Sequence, residues 1–251
     1  MKRIILQTLA LILLCVPMKM AAQQPSLKQC VHTYSDTRIE RNGTGWAYWF
    51  IPAGGVADTL SVKMSMVNKG VKTHDPHSHF ENELFYMVEG ESIVYLNGEE
   101  QRLRPGDAFY APGNSSHNIR RTDMSQNIRY VMFKREIKGK LSKPYLPGKK
   151  NYKMADCYVP YSDTESLCYL SKAMSANGLN VERVKTTKRY QINNATKQAV
   201  IFLLNGVARV KINNEECEVS PLTSVYVHKG ADFSIRPSDK ETLEYMIVFT
   251  E

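Results

Sequence analysis

Two histidines, His77 and His79, stand two residues apart in the segment His74-Asp75-Pro76-His77-Ser78-His79-Phe80-Glu81-Asn82-Glu83. Side chains alternate on an extended chain, so imidazoles at i and i+2 point to one face and can approach a single metal ion. Glu81 and Glu83 share that parity, and either brings a carboxylate to the same ion after a short turn. His117 follows the turn-rich stretch Ala111-Pro112-Gly113-Asn114-Ser115-Ser116 and offers a third imidazole. Three neutral imidazoles and one carboxylate form a borderline N/O set for one divalent transition metal ion. It suits Fe(II), Mn(II), Ni(II), Cu(II) or Zn(II) better than the all-oxygen sites of Ca2+ or Mg2+ do. His74 reads as an exposed loop histidine, with a substrate-side role as the alternative.

The elements that must position these groups are strands. Short apolar or alternating runs recur at 46–51, 60–67, 84–88, 92–96, 108–111 and 128–133, broken by Gly, Pro and Asn turns. They return at 179–185, 199–204, 207–212, 224–228 and 243–249, and no long stretch carries a 3.6-residue period. An all-β sandwich or barrel follows. The run at 46–51 presents Trp46, Tyr48 and Phe50 on one face, which predicts an aromatic wall for the site.

The chain also repeats itself. A shift of 116 positions aligns Gly90–Phe133 with Gly206–Phe249 without a gap, with 11 identities in 44 positions. Background composition would give roughly 3. Identities include Gly90/Gly206, Asn97/Asn213, Pro105/Pro221 and Arg120/Arg236. Two copies of one β-domain are expected. At the same offset His77, His79, Glu83 and His117 become Asn193, Ala195, Ala199 and Phe233, so the second copy keeps the strand pattern and loses every candidate ligand. His228 stands alone there and reads as structural.

The spacing His77-x-His79-x3-Glu83-x6-Gly90 resembles motif 1 of the cupins, and Gly106-x5-Pro112 with His117 is similar to their motif 2. In motif 2 Asn114 replaces the usual second glycine, and Arg121 stands where the terminal Asn is usual. The resemblance covers nearly all of the chain after its leader. It implies a bicupin: two tandem jelly-roll (double-stranded β-helix) cupin domains. By that resemblance His77, His79, Glu83 and His117 are the four metal ligands inside one barrel. The expected layout is a signal peptide at 1–22, a metal-binding cupin domain at 30–137, a Lys/Pro-rich linker at 138–153 and a degenerate metal-free cupin domain at 154–251. The resemblance also implies a homodimer.

Composition is ordinary for a globular protein, with 43% hydrophobic and 23% charged residues among 251. The net charge of +8 is misleading. Without 1–22 and the six lysines of 138–153, 24 basic residues stand against 25 acids, so no face for nucleic acid is implied. Met1-Lys2-Arg3, the apolar run 4–16 and the small Ala21-Ala22 read as a secretory signal. No membrane span is expected after its removal, and the protein is expected in the periplasm or outside the cell. Cys30, Cys157, Cys168 and Cys217 then allow three disulfide pairings, with free thiols as the alternative.

The expected partner is a small-molecule substrate. A barrel-held metal with open coordination positions acts as a Lewis acid, generates hydroxide or binds O2. The first expectation is therefore an exported metal-dependent enzyme, of oxidoreductase or dioxygenase type, acting on a phenolic or carboxylated compound with Fe or Mn. Zn, Ni or Cu remain alternatives. Isomerase or lyase chemistry on a carbohydrate acid is the second expectation, and non-catalytic binding of a sugar or carboxylate the third. Tyr48, Lys63, Tyr95 and Tyr130 are candidate catalytic groups. Arg120 reads as structural, because the second copy keeps its counterpart Arg236.

Overall fold

Strands buried on both faces need no alternation, and the centre of this protein is built from such strands. Glu83–Glu89 buries its first five residues, Ala108–Ala111 buries all four, and Ile128–Arg135 is buried at Ile128 and across Tyr130–Phe133. The computed structural model describes residues 24–42, 45–57, 59–71, 73–135, 152–171, 173–174 and 179–250. The 1–22 leader and the linker up to residue 151 lie outside the described residues.

All strand pairs are antiparallel, and they form two sandwiches in tandem. In the first, a seven-stranded sheet runs Tyr158–Val159, Ala108–Ala111, Glu83–Glu89, Ile128–Arg135, Leu60–Val67, Gly45–Ile51 and Glu40–Asn42. A three-stranded sheet of Glu99–Leu103, Ser92–Leu96 and His117–Arg121 faces it. The second sandwich has a six-stranded sheet: Val31–Thr33, Thr223–Val227, Gln198–Asn205, Leu243–Thr250, Asn180–Thr186 and Ser166–Leu170. Its four-stranded sheet is Tyr190–Ile192, Phe233–Pro237, Ala208–Ile212 and Glu215–Val219. This is the jelly-roll pair that the sequence suggested, and six strands of the first sandwich, from Glu83–Glu89 to Ile128–Arg135, recur about 116 residues later.

Turn chemistry fixes the registers. Leu96 pairs with Glu99 across Asn97 (φ 49°) and Gly98 (φ 100°), the two left-handed residues of a type I′ hairpin. Gly90 (φ 73°) turns the chain out of its strand where a Cβ would lie 2.3 Å from the Asn127 carbonyl oxygen. Only glycine fits there.

The sheets do not divide at residues 30 and 154. The turn Leu27–Cys30 leads into Val31–Thr33, which joins the second sandwich with Val31 opposite Val225. The turn Met154–Cys157 leads into Tyr158–Val159, which joins the first with Tyr158 opposite Phe109. Phe109 and Val225 are 116 residues apart, so the two arms are exchanged at equivalent places. Between the sandwiches, Phe202 packs edge-on against Phe50 (5.1 Å between centroids) and Phe133 (6.0 Å). Among the described residues Cys30, Cys157, Cys168 and Cys217 form no disulfide with one another.

Candidate metal centre

The candidate ligands come from three places in the first sandwich. His117 opens strand His117–Arg121 and Glu83 opens strand Glu83–Glu89. His77 is held by a single β-bridge to His117, with backbone hydrogen bonds of 3.1 and 2.9 Å. His79 follows at the same parity, and its carbonyl accepts the Asn114 N–H at 2.6 Å. Gly113 lies so close to the Phe80 carbonyl that a Cβ would sit 2.3 Å from its oxygen. Asn82 ties both loops down: its Oδ1 accepts from the Tyr110 hydroxyl (2.8 Å) and the Gly113 N–H (2.9 Å).

One ligand nitrogen from each of His77, His79 and His117 lies within 4.8 Å of the others. Glu83 joins them, with Oε1 3.3 Å from His79 Nε2 and Oε2 3.5 Å from His117 Nε2. His117 Nδ1 donates to the Ser115 carbonyl at 2.9 Å, which fixes the tautomer and leaves the Nε2 lone pair facing the cluster. That nitrogen is buried and makes no hydrogen bond among the described residues. A buried imidazole nitrogen without a hydrogen bond, beside two more imidazoles and a carboxylate, is what a divalent cation would satisfy. Glu81 sits behind, its carboxylate 3.2 Å from His79 Nδ1.

Charge is tuned to the same end. Burial would raise the Glu83 carboxyl pKa, but the His117 and His79 imidazoles and the Lys134 ammonium outweigh it and hold it well below the carboxylate range. Burial and then its imidazole neighbours push His77 down to about 4, so it stays neutral and able to bind a metal.

Of the four candidate catalytic groups, two meet the ligands. Lys63 and Tyr130 line a cavity of about 100 Å3 with His74, Phe85, Asn118 and Met132. Burial lowers the Lys63 pKa, Glu83 opposing the shift, and its ammonium lies 5.2 Å from the centre of the Trp49 ring. Burial pushes Tyr130 up to about 12. Tyr48 is fully buried on the other face of its strand, with its hydroxyl on the Thr33 carbonyl and Arg38. Tyr95 lies in a neighbouring groove. The aromatic wall of Trp46, Tyr48 and Phe50 is likewise elsewhere: these rings pack on Tyr34 and Phe202, because parity in a strand does not say which face is the barrel interior. Arg120 holds Glu100 on the outer surface. The sequence reading missed Phe85, Asn118, Met132 and the Lys134–Glu83 contact of 3.5 Å. Lys134 lies directly opposite Glu83 in the strand ladder, a register that no local sequence pattern encodes.

Comparison with known proteins agrees with this architecture. A cupin domain family profile matches residues 63–133, which spans all four candidate ligands. The oxalate decarboxylase of Lactobacillus farciminis, in its formate complex, superposes over 90% of this chain and 87% of its own with a TM-score of 0.68. The chain has the bicupin fold. Sequence identity in that superposition is 12%, so it speaks for the fold alone. The Bacillus subtilis oxalate decarboxylase, in a structure concerned with its Mn(II) centres, covers 90% of the bicupin and 78% of itself at a TM-score of 0.64 and 14% identity. The quercetin 2,3-dioxygenase of Bacillus subtilis (strain 168) is 35% identical over 52 residues, 21% of the bicupin and only 15% of that enzyme. The three-histidine cluster is arranged so that it could hold a divalent metal ion. Among the described residues no helix is long and apolar enough to cross a membrane.

Proposed function

We propose that this bicupin is an exported, metal-dependent enzyme that performs dioxygenase-type oxidation of a small carboxylated or phenolic molecule, with Fe or Mn at His77, His79, Glu83 and His117. The observation that carries the reading is the pair Lys63 and Tyr130, two ionisable groups beyond the ligands that face the same cavity. A purely structural metal has no use for them, whereas a reaction does.

The bound metal would supply Lewis acidity and, for Fe or Mn, redox chemistry. The chain's own residues do the rest. Lys63 places a cation where an anionic head group would enter. Tyr130, with its pKa near 12, keeps its proton at neutral pH and donates a hydrogen bond. Phe85 and Met132 keep that end of the cavity apolar. At about 100 Å3 the cavity takes one small functional group, so the remainder of a larger substrate must lie outside it.

Lys63 also favours a second reading, isomerase or lyase chemistry on a carbohydrate acid, since a lysine of lowered pKa can act as a proton-abstracting base. O2 consumption separates the two. The protein is loaded with Fe(II) or Mn(II) and screened against phenolic and carboxylic acids in an oxygen electrode. Uptake that stops in the Lys63→Met and Tyr130→Phe variants supports oxidation. Turnover of uronates without O2 uptake supports the second reading, and no turnover of either class with metal bound would overturn both.

A further inference from the structure

The second barrel has no metal ligands, yet the outward face of its smaller sheet carries a groove of about 250 Å3. Val210, Ile212, Phe233 and Ile235 fill the core on the opposite face. On the outward face Gln191 and Lys211 lie directly opposite Ser234, one on each side. Both copies have a cavity at this place. Thr73, Asp75, Tyr95 and Asn118 line the first, and Arg189, Gln191, Lys211 and Ser234, each 116 residues on, line the second.

The two grooves differ in charge. Arg189 and Lys211 replace Thr73 and Tyr95, so the second groove gains two cations. Both converge on Ser234: Lys211 is its neighbour in the ladder, and Arg189 Nη2 donates to its Oγ at 3.1 Å. Among the described residues neither cation has an ion pair. Glu216 stands opposite Lys211, but its carboxylate lies 3.5 Å from both Arg209 and Arg236. Two like charges flanking one hydroxyl repel, and an anion over Ser234 would relieve both.

The rest of the wall is made for hydroxyl groups. Gln191, Asn193 and Asn214 offer amides, which both donate and accept. Asp232 adds a carboxylate whose Oδ1 is already held by the Asn194 N–H at 2.7 Å. Asn213 fixes that end, accepting the Asp232 N–H at 3.0 Å and donating to Gln24 at 3.3 Å. Phe233 is only 2% exposed, so it gives an aromatic ligand no surface to stack on.

We propose that this groove binds an acidic sugar, with its anionic group over Ser234 between Arg189 and Lys211 and its hydroxyls on Gln191, Asn193, Asn214 and Asp232. The barrel without metal ligands is thus a binding module in its own right. None of the candidate metal ligands lines the groove, so the site does not depend on the enzyme reading.

The test is calorimetric titration of the purified protein with glucuronate, glucose 6-phosphate, glucose and acetate. At least one charged sugar is expected to bind about tenfold more tightly than glucose, the worth of a charge-assisted pair. The tighter of the two identifies the anionic group. Acetate, which lacks the hydroxyls, should bind more weakly than either. Added salt should reduce the preference, because the pair is exposed. Arg189→Gln and Lys211→Gln should each weaken it, and the double variant should erase it. Arg236→Gln, which removes a neighbouring ion pair, should leave it intact. Thermal melts of these surface variants should match the parent. Chelator-treated protein should keep the preference, whereas a sugar held at the metal cavity would be released. Equal binding of glucose or acetate, no binding of either charged sugar, or a preference that survives the double variant or vanishes with chelator overturns the proposal. Failure of the enzyme reading looks different: the preference would persist in a protein that binds no Fe or Mn and consumes no O2.

Discussion

His77 and His117 exchange both of their backbone hydrogen bonds, at 3.1 and 2.9 Å, and their rings stand 4.8 Å apart. Two ligands 40 residues apart in the chain are therefore set by one β-bridge rather than by side-chain packing alone. The second barrel shows the difference: there Phe233 pairs with Ile192 in a regular strand, and the equivalents of the two histidines, Asn193 and Phe233, carry no imidazole.

Replacing His79 or His117 with alanine removes one corner of the cluster. Elemental analysis is expected to give about one divalent metal per chain for the parent protein and almost none for either variant. A second equivalent in the parent would contradict the metal-free character of the barrel carrying Asn193, Ala195, Ala199 and Phe233.

Acid should release the metal and weaken the metal-free fold. His77 has a folded pKa of about 4 against an ordinary value of 6.5, so between those limits the unfolded chain binds the extra proton. Stability of the metal-free protein falls as pH drops through that window, because stability rises with pH wherever the unfolded state holds more protons. Thermal melts of chelator-treated protein between pH 7 and pH 4 should show a shallower decline in His77→Gln.

Asn82→Ala should loosen the cluster without touching a ligand. It removes the acceptor for Tyr110 and Gly113 and leaves two buried donors exposed to that loss, about 1–3 kcal/mol each at most. A metal competition assay is expected to show weaker binding, and denaturant melts a lower midpoint. Unchanged metal affinity would mean that the Asn82 contacts do not position His117.

Phe202→Ala empties the junction between the sandwiches. The ring is fully buried against Phe50 and Phe133, and truncation of such a phenylalanine costs about 3–5 kcal/mol. Denaturant unfolding should register the loss, and metal content should stay at parent level if the first barrel holds together.

The strands legible in the sequence were those whose apolar residues line a core, such as Leu60–Val67 and Leu243–Thr250. Glu99–Leu103 and Glu215–Val219 were not, because each is mostly charged and buries only its last residue. His117–Arg121 and Phe233–Pro237 hid behind their polar residues in the same way. The arms at Val31 and Tyr158 are too short to show any period. At the site, the spacing of His77, His79, Glu83 and His117 could be read because alternation puts like parities on one face. The groups that share their cavity, Phe85 and Met132 among them, depend on which sheet face is interior, and no local pattern encodes that.

The exchanged arms have a consequence for how the chain can be taken apart. Val31–Thr33 is stitched to the barrel made by the last hundred residues, and Tyr158–Val159 to the barrel made before it. A protease cut anywhere between residues 136 and 151 would therefore sever the covalent link and leave two fragments still clasping one another. Separation of the fragments would require each to draw its own arm out of the other's sheet.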